Sequence, residues 1–238
     1  MNVASRRIEE GCDDGYVILA EMQKNGRGRN GRWECPAGRG ILLSTVLTFG
    51  MKRKDRMLAG LLGAVAGAET VAHFGIESMI KWPNDIVVPD SKTPVGMAKI
   101  GGVLVEQRLR GDTAPAHVLG VGLNVNQNPS ELPDTAPLPS ISMKTACRDR
   151  HFDRNRVCKY LIERLDYWYG KLKLGHREAL LARWRTLSCL TGKRVRAETD
   201  GETVEGTVIG LRSSGELIMR LQNGRTRLLT SERTKLCL

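Results

Sequence analysis

The stretch from Asp55 to Phe74 constrains the fold more than any other part of the chain. It is rich in Ala, Gly, Leu and Val and apolar nearly all round. A helix with no broad polar stripe has no face to give to water, so it must lie centrally, packed on a sheet. Asp55 stands at the N-cap position and Gly75 at the stop. The longest apolar run, Met57 to Ala68, is too short to span a bilayer. The first residues, Met1 to Arg7, lack the apolar core of a signal peptide. A cytoplasmic protein that does not enter membranes is the expectation.

Around this helix the sequence supplies strands. Residues 2–10 read as a short helix stopped by Gly11. Tyr16–Ala20 reads as a buried strand, followed by strands at Ile41–Phe49, Met79–Val88, Ile100–Arg108 and His117–Val125. Four prolines (Pro129, Pro133, Pro137, Pro139) make 127–140 a surface loop. Helices are expected at 153–174 and 176–187, the first with a core stripe of Tyr160, Leu161, Leu165, Trp168 and Leu172. From Ser188 the texture changes to short alternating strands punctuated by Asp200-Gly201, Ser214-Gly215 and Asn223-Gly224, each a hairpin signal. Five short strands there suggest a small barrel or open sheet. The domains are therefore expected to be 1–187 and 188–238.

The net charge of +11 points to an anionic partner. Residues 26–32, Gly-Arg-Gly-Arg-Asn-Gly-Arg, show where it would bind. The run has no apolar face and must be a loop. Gly26, Gly28 and Gly31 permit positive φ and close approach, and Arg27, Arg29 and Arg32 carry planar forks suited to carboxylate and phosphate. A nucleotide triphosphate with a small carboxylic acid fits this loop; so does a nucleic-acid backbone, and so does a plain solvated turn. Six cysteines without a Cys-x-x-Cys pair and four scattered histidines give no metal cage, and reduced thiols are the default.

Four further segments bear on the choice. Lys81-Trp82-Pro83-Asn84-Asp85 interrupts a strand with a proline, which puts Asn84 and Asp85 at an edge, a bulge or a turn. Lys99-Ile100-Gly101-Gly102-Val103-Leu104-Val105-Glu106 leads a buried strand with a lysine and two glycines. Gly120-Val121-Gly122-Leu123-Asn124 is a Gly-spaced strand ending in Asn. Gln23, just before the loop, offers donors and an acceptor. Each alone reads equally well as structure.

In this order, across residues 23–126, these segments resemble the biotin protein ligases. The Arg-Gly loop and the Lys-Trp-Pro-Asn-Asp block favour biotin over lipoate, and the Pro-rich segment and C-terminal β region extend the likeness along most of the chain. The resemblance implies an α+β fold, a mixed β-sheet flanked by helices followed by a small C-terminal SH3-like β-barrel. It implies biotin, ATP and Mg²⁺ as ligands and a biotin carboxyl carrier protein or domain of a carboxylase as partner. Biotin's carboxylate would attack the α-phosphate of ATP to give biotinyl-5′-adenylate and pyrophosphate, and a carrier lysine would then take the biotinyl group and release AMP. A homodimer formed through an edge strand is also within the family's range.

Residue by residue, the resemblance makes Lys99 and Arg29 catalytic. Gln23, Gly26, Arg27, Gly28, Arg29, Lys99, Gly101, Gly102 and Gly122 fall to biotin. Arg29, Arg32, Trp33, Asn84, Asp85, Lys99 and Asn124 fall to ATP, with Trp33 stacking on adenine and Asp85 helping to place Mg²⁺. No metal is held by protein ligands alone. The loop 24–38 is expected to be poorly ordered without ligand and to close with it. The family's upstream strand and Ser-Thr motif are not seen before Met1, nor is a winged helix-turn-helix, so a truncated start and no DNA binding are expected. Two rival readings stand: a ligase-like binding protein that has lost activity, and a nucleic-acid-binding protein. The low aromatic content of 5% counts against the second.

Overall fold

A computed structural model describes residues 1–29, 31–48, 55–110, 114–133 and 138–237. Six strands form one sheet in the order β1-β2-β6-β5-β4-β3: β1 Val17–Leu19, β2 Gly40–Leu47, β3 Met79–Lys81, β4 Asp85–Pro89, β5 Met97–Arg110 and β6 Ala114–Asn124. Every named strand pair is antiparallel. The mixed character expected of the sheet is confined to isolated parallel bridges, Ile80 with Ser188 and Lys99 with Ser140.

The central apolar helix is present as α2, Arg56–His73, preceded in chain order by α1, Asn2–Glu9. The glycines of α2 explain its close seat on the sheet. A Cβ on Gly63 would lie 2.9 Å from both Leu119 Cδ1 and Val103 Cγ1, and one on Gly67 would lie 2.4 Å from Ile86 Cδ1. Small residues one turn apart make a groove that receives the sheet's branched side chains. Asp55 does not cap the helix through its side chain, contrary to expectation. Its carboxylate is engaged 3.1 Å from Arg177 Nη1 instead. Behind α2 lie α4 (Arg154–Lys173), capped by Asp153, and α5 (Arg177–Leu187). Glu69 of α2 joins all three helices by accepting from Arg164 Nε at 2.8 Å, Trp168 Nε1 at 2.9 Å and Arg183 Nε at 2.7 Å. A 3₁₀ turn at Pro129–Glu131 lies within the region read as loop, and a short α3, Met143–Ala146, follows it; Pro137 lies outside the described residues.

Three strand expectations change. β1 is an edge strand with Val17 37% and Leu19 54% exposed, not a buried one, because only β2 pairs with it. The single strand expected over 79–88 is a hairpin, β3 and β4, reversed at Trp82-Pro83-Asn84 with a cis Trp82–Pro83 peptide. Phe49, expected to end the second strand, lies outside the described residues.

The C-terminal strands β7 Arg194–Thr199, β8 Glu202–Leu211, β9 Leu217–Leu221, β10 Thr226–Leu229 and β11 Thr234–Cys237 form a second antiparallel sheet, ordered β10-β9-β8-β7-β11. The three hairpin signals fall at its turns, with positive φ at Asp200, Gly201, Gly215 and Gly224. Among the described residues β10 and β11 are its edges and do not pair, so the barrel expected there is an open sheet in its hydrogen bonding. The buried indole of Trp82 donates to Gly215 O at 3.4 Å and so connects the two sheets.

Candidate active site

The two faces of the six-stranded sheet have different neighbours. Gly101, Val103, Leu119 and Leu123 point to α2 and its flanks. On the other face α1 covers Val46, Ala116 and Val118 at one end. The rest of that face is the floor of a cavity of about 910 Å³, reaching from Leu42 and Ser44 across Gly120 and Gly122 to Gly102 and Leu104. The glycines remove side chains from the floor; the loop after β1 forms the roof.

A bulge aims Lys99 into this cavity. Gly101 pairs with Ile86 and Lys99 with Val87, so Ile100 has no partner of its own and the register shifts. With a strict alternation Lys99 would share the helix-facing side with Gly101. The extra residue returns it to the face of Gly102, where a Gly102 Cβ would meet Lys99 Cε at 3.3 Å. The Trp82–Asn84 turn supplies the counter-charge. Asp85 Oδ1 lies 2.5 Å from Lys99 Nζ and its Oδ2 lies 3.9 Å from Lys81 Nζ. Asn84 is clipped to β5, its Nδ2 donating to Val103 O at 2.6 Å while Val103 N donates to Asn84 O at 2.9 Å.

The Arg-Gly loop is an irregular hairpin over the floor. Gln23 and Cys35 exchange backbone hydrogen bonds of 3.1 and 3.0 Å at its base. Trp33 N donates to Gly26 O at 2.9 Å, and Gly28 N donates to Gly31 O at 2.7 Å. Asn30, within the stretch 24–38, lies outside the described residues. Gly26 and Gly28 do not use positive φ. The reason for Gly26 is steric, since a Cβ would lie 1.7 Å from Gln23 Nε2 and 1.8 Å from Trp33 O.

The loop's arginines are anchored at both ends of the cavity. Arg27 Nη2 donates to Asn2 Oδ1 at 2.8 Å and lies 2.9 Å from Glu106 Oε1. Arg29 donates to the carbonyl of Thr234 on β11, which carries the roof across to the second sheet. Burial lowers the Arg29 pKa from its ordinary value, while Asp85 and Glu232 pull it back up. Burial also lowers the Lys81 pKa. Asp85 and Cys189 oppose that shift, and the nearby Lys99 and Arg29 add to it. The only carboxylate among the described lining residues is Asp85, against Lys24, Arg27, Arg29, Arg32, Lys81, Lys99 and Lys235. A pocket with that balance favours a ligand carrying several negative charges.

Of the residues singled out in the sequence, Gln23, Gly26, Arg27, Gly28, Arg29, Arg32, Trp33, Asn84, Asp85, Lys99, Gly102 and Gly122 line the cavity. Gly101 and Asn124 do not. Gly101 faces α2, where a Cβ would meet Leu123 Cδ2 at 2.6 Å. Asn124 is buried beneath the floor, donating to Ile141 O and accepting from Gln127 Nε2, both at 3.1 Å. Lys81 and Lys235 were not singled out. Lys81 opened a motif that had drawn attention to its last two residues, and a lone lysine in β11 carries no signal of its own.

Residues 3–124 match the model of the biotin/lipoate A/B protein ligase family, and residues 190–232 match the biotin protein ligase C-terminal domain. The biotin–acetyl-CoA-carboxylase ligase of Mycobacterium tuberculosis is 33% identical over 233 residues, covering 92% of this chain and 79% of that protein. The bifunctional ligase/repressor BirA of Bacillus subtilis is 28% identical over 221 residues, covering 92% of this chain. The chain spans 66% of that relative's length. The Aquifex aeolicus biotin protein ligase, solved with biotin and ATP, shares the fold with a TM-score of 0.78 at 22% identity, over 98% of this chain and 94% of that one. No helix among the described residues is long and apolar enough to cross a membrane. The motif order, the glycine-floored cavity and both domain matches agree: the chain belongs to the biotin/lipoate A/B protein ligase family, on its biotin protein ligase branch.

Proposed function

We propose that the chain activates biotin with ATP and transfers the biotinyl group to a lysine of a carboxylase's carrier domain. The observation that carries this reading is the cationic cavity in which Lys99 and Arg29 converge above a floor of glycines, in a chain whose relatives are named biotin ligases. In the first step a carboxylate oxygen of biotin bonds to the α-phosphorus and the bond to the pyrophosphate oxygen breaks. In the second the carrier amine attacks the acyl carbon, AMP leaves with the electron pair, and the amine gives up a proton.

Each residue's part follows from charge and position. Two anions must meet, and Lys99 and Arg29 offset their repulsion and stabilise the charge on phosphorus. Arg29 reaches the acyl phosphate by exchanging its Thr234 carbonyl for phosphate oxygens. Gln23, Gly26, Arg27, Gly28, Gly102 and Gly122 shape the acid's lobe. Arg32, Asn84 and Asp85 sit on the nucleotide side. Mg²⁺ fits this cavity as a companion of the nucleotide, held mainly by phosphate oxygens with Asp85 as the available carboxylate, and would supply charge neutralisation. We place the domain division at 187/188 and assign the unpaired edge of β1, with Val17 and Leu19 exposed, to a protein partner: the carrier or a second copy.

The test is biotin-dependent exchange of labelled pyrophosphate into ATP by the purified chain, with lipoate as control. Exchange with biotin and not lipoate is expected; no exchange with either acid would overturn the reading.

A further inference from the structure

The C-terminal sheet ends on one side at β11, whose Thr234 carbonyl is taken by Arg29 and whose Lys235 lines the cavity. Its other edge, β10, stands apart from the cavity: no residue of β10 lines it, and among the described residues no strand pairs with the outer side of β10. Hydrogen bonding within the hairpin fixes which backbone groups are open. Leu221 N donates to Arg225 O at 2.8 Å, so the residues that bond to β9 are Arg225 and, by alternation, Arg227 and Leu229. Thr226 and Leu228 therefore turn their N–H and C=O groups away from the sheet.

The same two residues carry exposed side chains, Leu228 at 42%. Behind them the register builds two rows of different character. Leu228 stands opposite Ile218, and Ile218 opposite Gly210, beside the bulged and exposed Ile209. Thr226 stands opposite Arg220, Arg220 opposite Thr207, and Thr207 opposite Arg194. Arg194 lies 3.1 Å from Glu205 Oε2. Arg220 is exposed, and no carboxylate among the described residues is in ion-pair range of it.

An open edge backed by an aliphatic row and a cationic row is a template for an added strand. We propose that β10 is a docking edge for an extended acidic segment of another protein. The segment adds antiparallel to β10, with an apolar residue opposite Leu228 and, two residues later, a carboxylate opposite Thr226 within reach of Arg220. The residue between them falls on the side of Arg227. Charge selects this occupant. A second β10, Thr-Arg-Leu-Leu, has no carboxylate to offer Arg220, and a second copy of the chain carries the same net charge of +11. A single-stranded nucleic acid would need rings to stack on, and the chain has no aromatic residue after Trp184.

The test uses the full chain and a fluorescein-labelled peptide, Thr-Val-Thr-Glu-Thr, capped at both ends and read by anisotropy. Saturable binding is expected. It should weaken at least about tenfold with Leu228→Lys, which puts a blocking charge on the edge, and with Arg220→Glu, which reverses the charge that the carboxylate meets. Both variants should keep the melting temperature. The order-reversed peptide, Thr-Glu-Thr-Val-Thr, and the peptide N-methylated at Val and Glu should each bind at least about tenfold more weakly. No binding, equal binding of the N-methylated peptide, or tighter binding of oligothymidylate would overturn the inference. So would a dimer in solution that Leu228→Lys dissolves, since the edge would then belong to a second copy.

Discussion

Lys99 Nζ lies 2.5 Å from Asp85 Oδ1, although the two residues stand on neighbouring strands and the lysine reaches its place only through a bulge. The pair holds the ammonium over the cavity floor until an anionic ligand competes for it. Lys99→Ala is expected to lower biotin-dependent pyrophosphate exchange by about 10²-fold, the scale of losing one preorganised charge. Asp85→Asn should cost less. The double variant should fall short of the product of the two single losses, because the groups are paired, and any loss beyond that of Lys99→Ala alone measures the share of Asp85 on the nucleotide side. Additive losses in the double-mutant cycle would separate the two roles.

Gly26→Ala tests the roof. Its Cβ has no room beside Gln23 Nε2 and Trp33 O, so the hairpin must rearrange. Biotin affinity should drop at least about tenfold, while the melting temperature moves little because the loop is peripheral to the core. Calorimetric binding and thermal melts read the two quantities separately.

Gly63→Val tests the seat of α2. The new methyl groups would enter the space of Leu119 and Val103, and overpacking of this kind costs about 1–3 kcal/mol. Urea unfolding should show that loss. An unchanged midpoint would mean that the helix can lift from the sheet without penalty.

The Glu69 hub makes a pH prediction. Burial opposes ionisation of Glu69, but donors from Trp168, Arg183 and Arg164 outweigh it and lower its pKa from 4.5. A depressed carboxylate contributes stability that is present above its unfolded value and is lost as pH falls through the folded one. Glu69→Gln should therefore destabilise the chain by about 3 kcal/mol at pH 7, the cost of breaking a partly buried ion cluster. The gap to wild type should narrow below about pH 4.5. A gap that stays constant down to pH 3 would remove the ionised carboxylate from the account.

How much of this could be read in advance depended on the range of the interaction. The central helix, the C-terminal hairpins and the order of the glycine and lysine motifs are local patterns, and the structure contains them. The face on which a residue ends up is not local. Lys99 and Gly101 are two apart and should share a side, yet the unpaired Ile100 separates them, and no residue type announces a bulge. Asn124 ends the row of Gly120 and Gly122, but its amide is taken by Ile141, seventeen residues on. Trp33 follows the arginines in sequence, but in space its ring lies against Gly122 of β6 and beside Gly102 of β5, neighbours that no local pattern names.

Arg29 gives the last consequence. A loop side chain near the start of the chain binds the carbonyl of Thr234 near its end, across 205 positions. The roof of the cavity is thus shared property of both sheets, and neither could be exchanged for a relative's version without refitting the other. Divergence along this chain should therefore be correlated between the Arg-Gly loop and β11, even though no motif spans the distance.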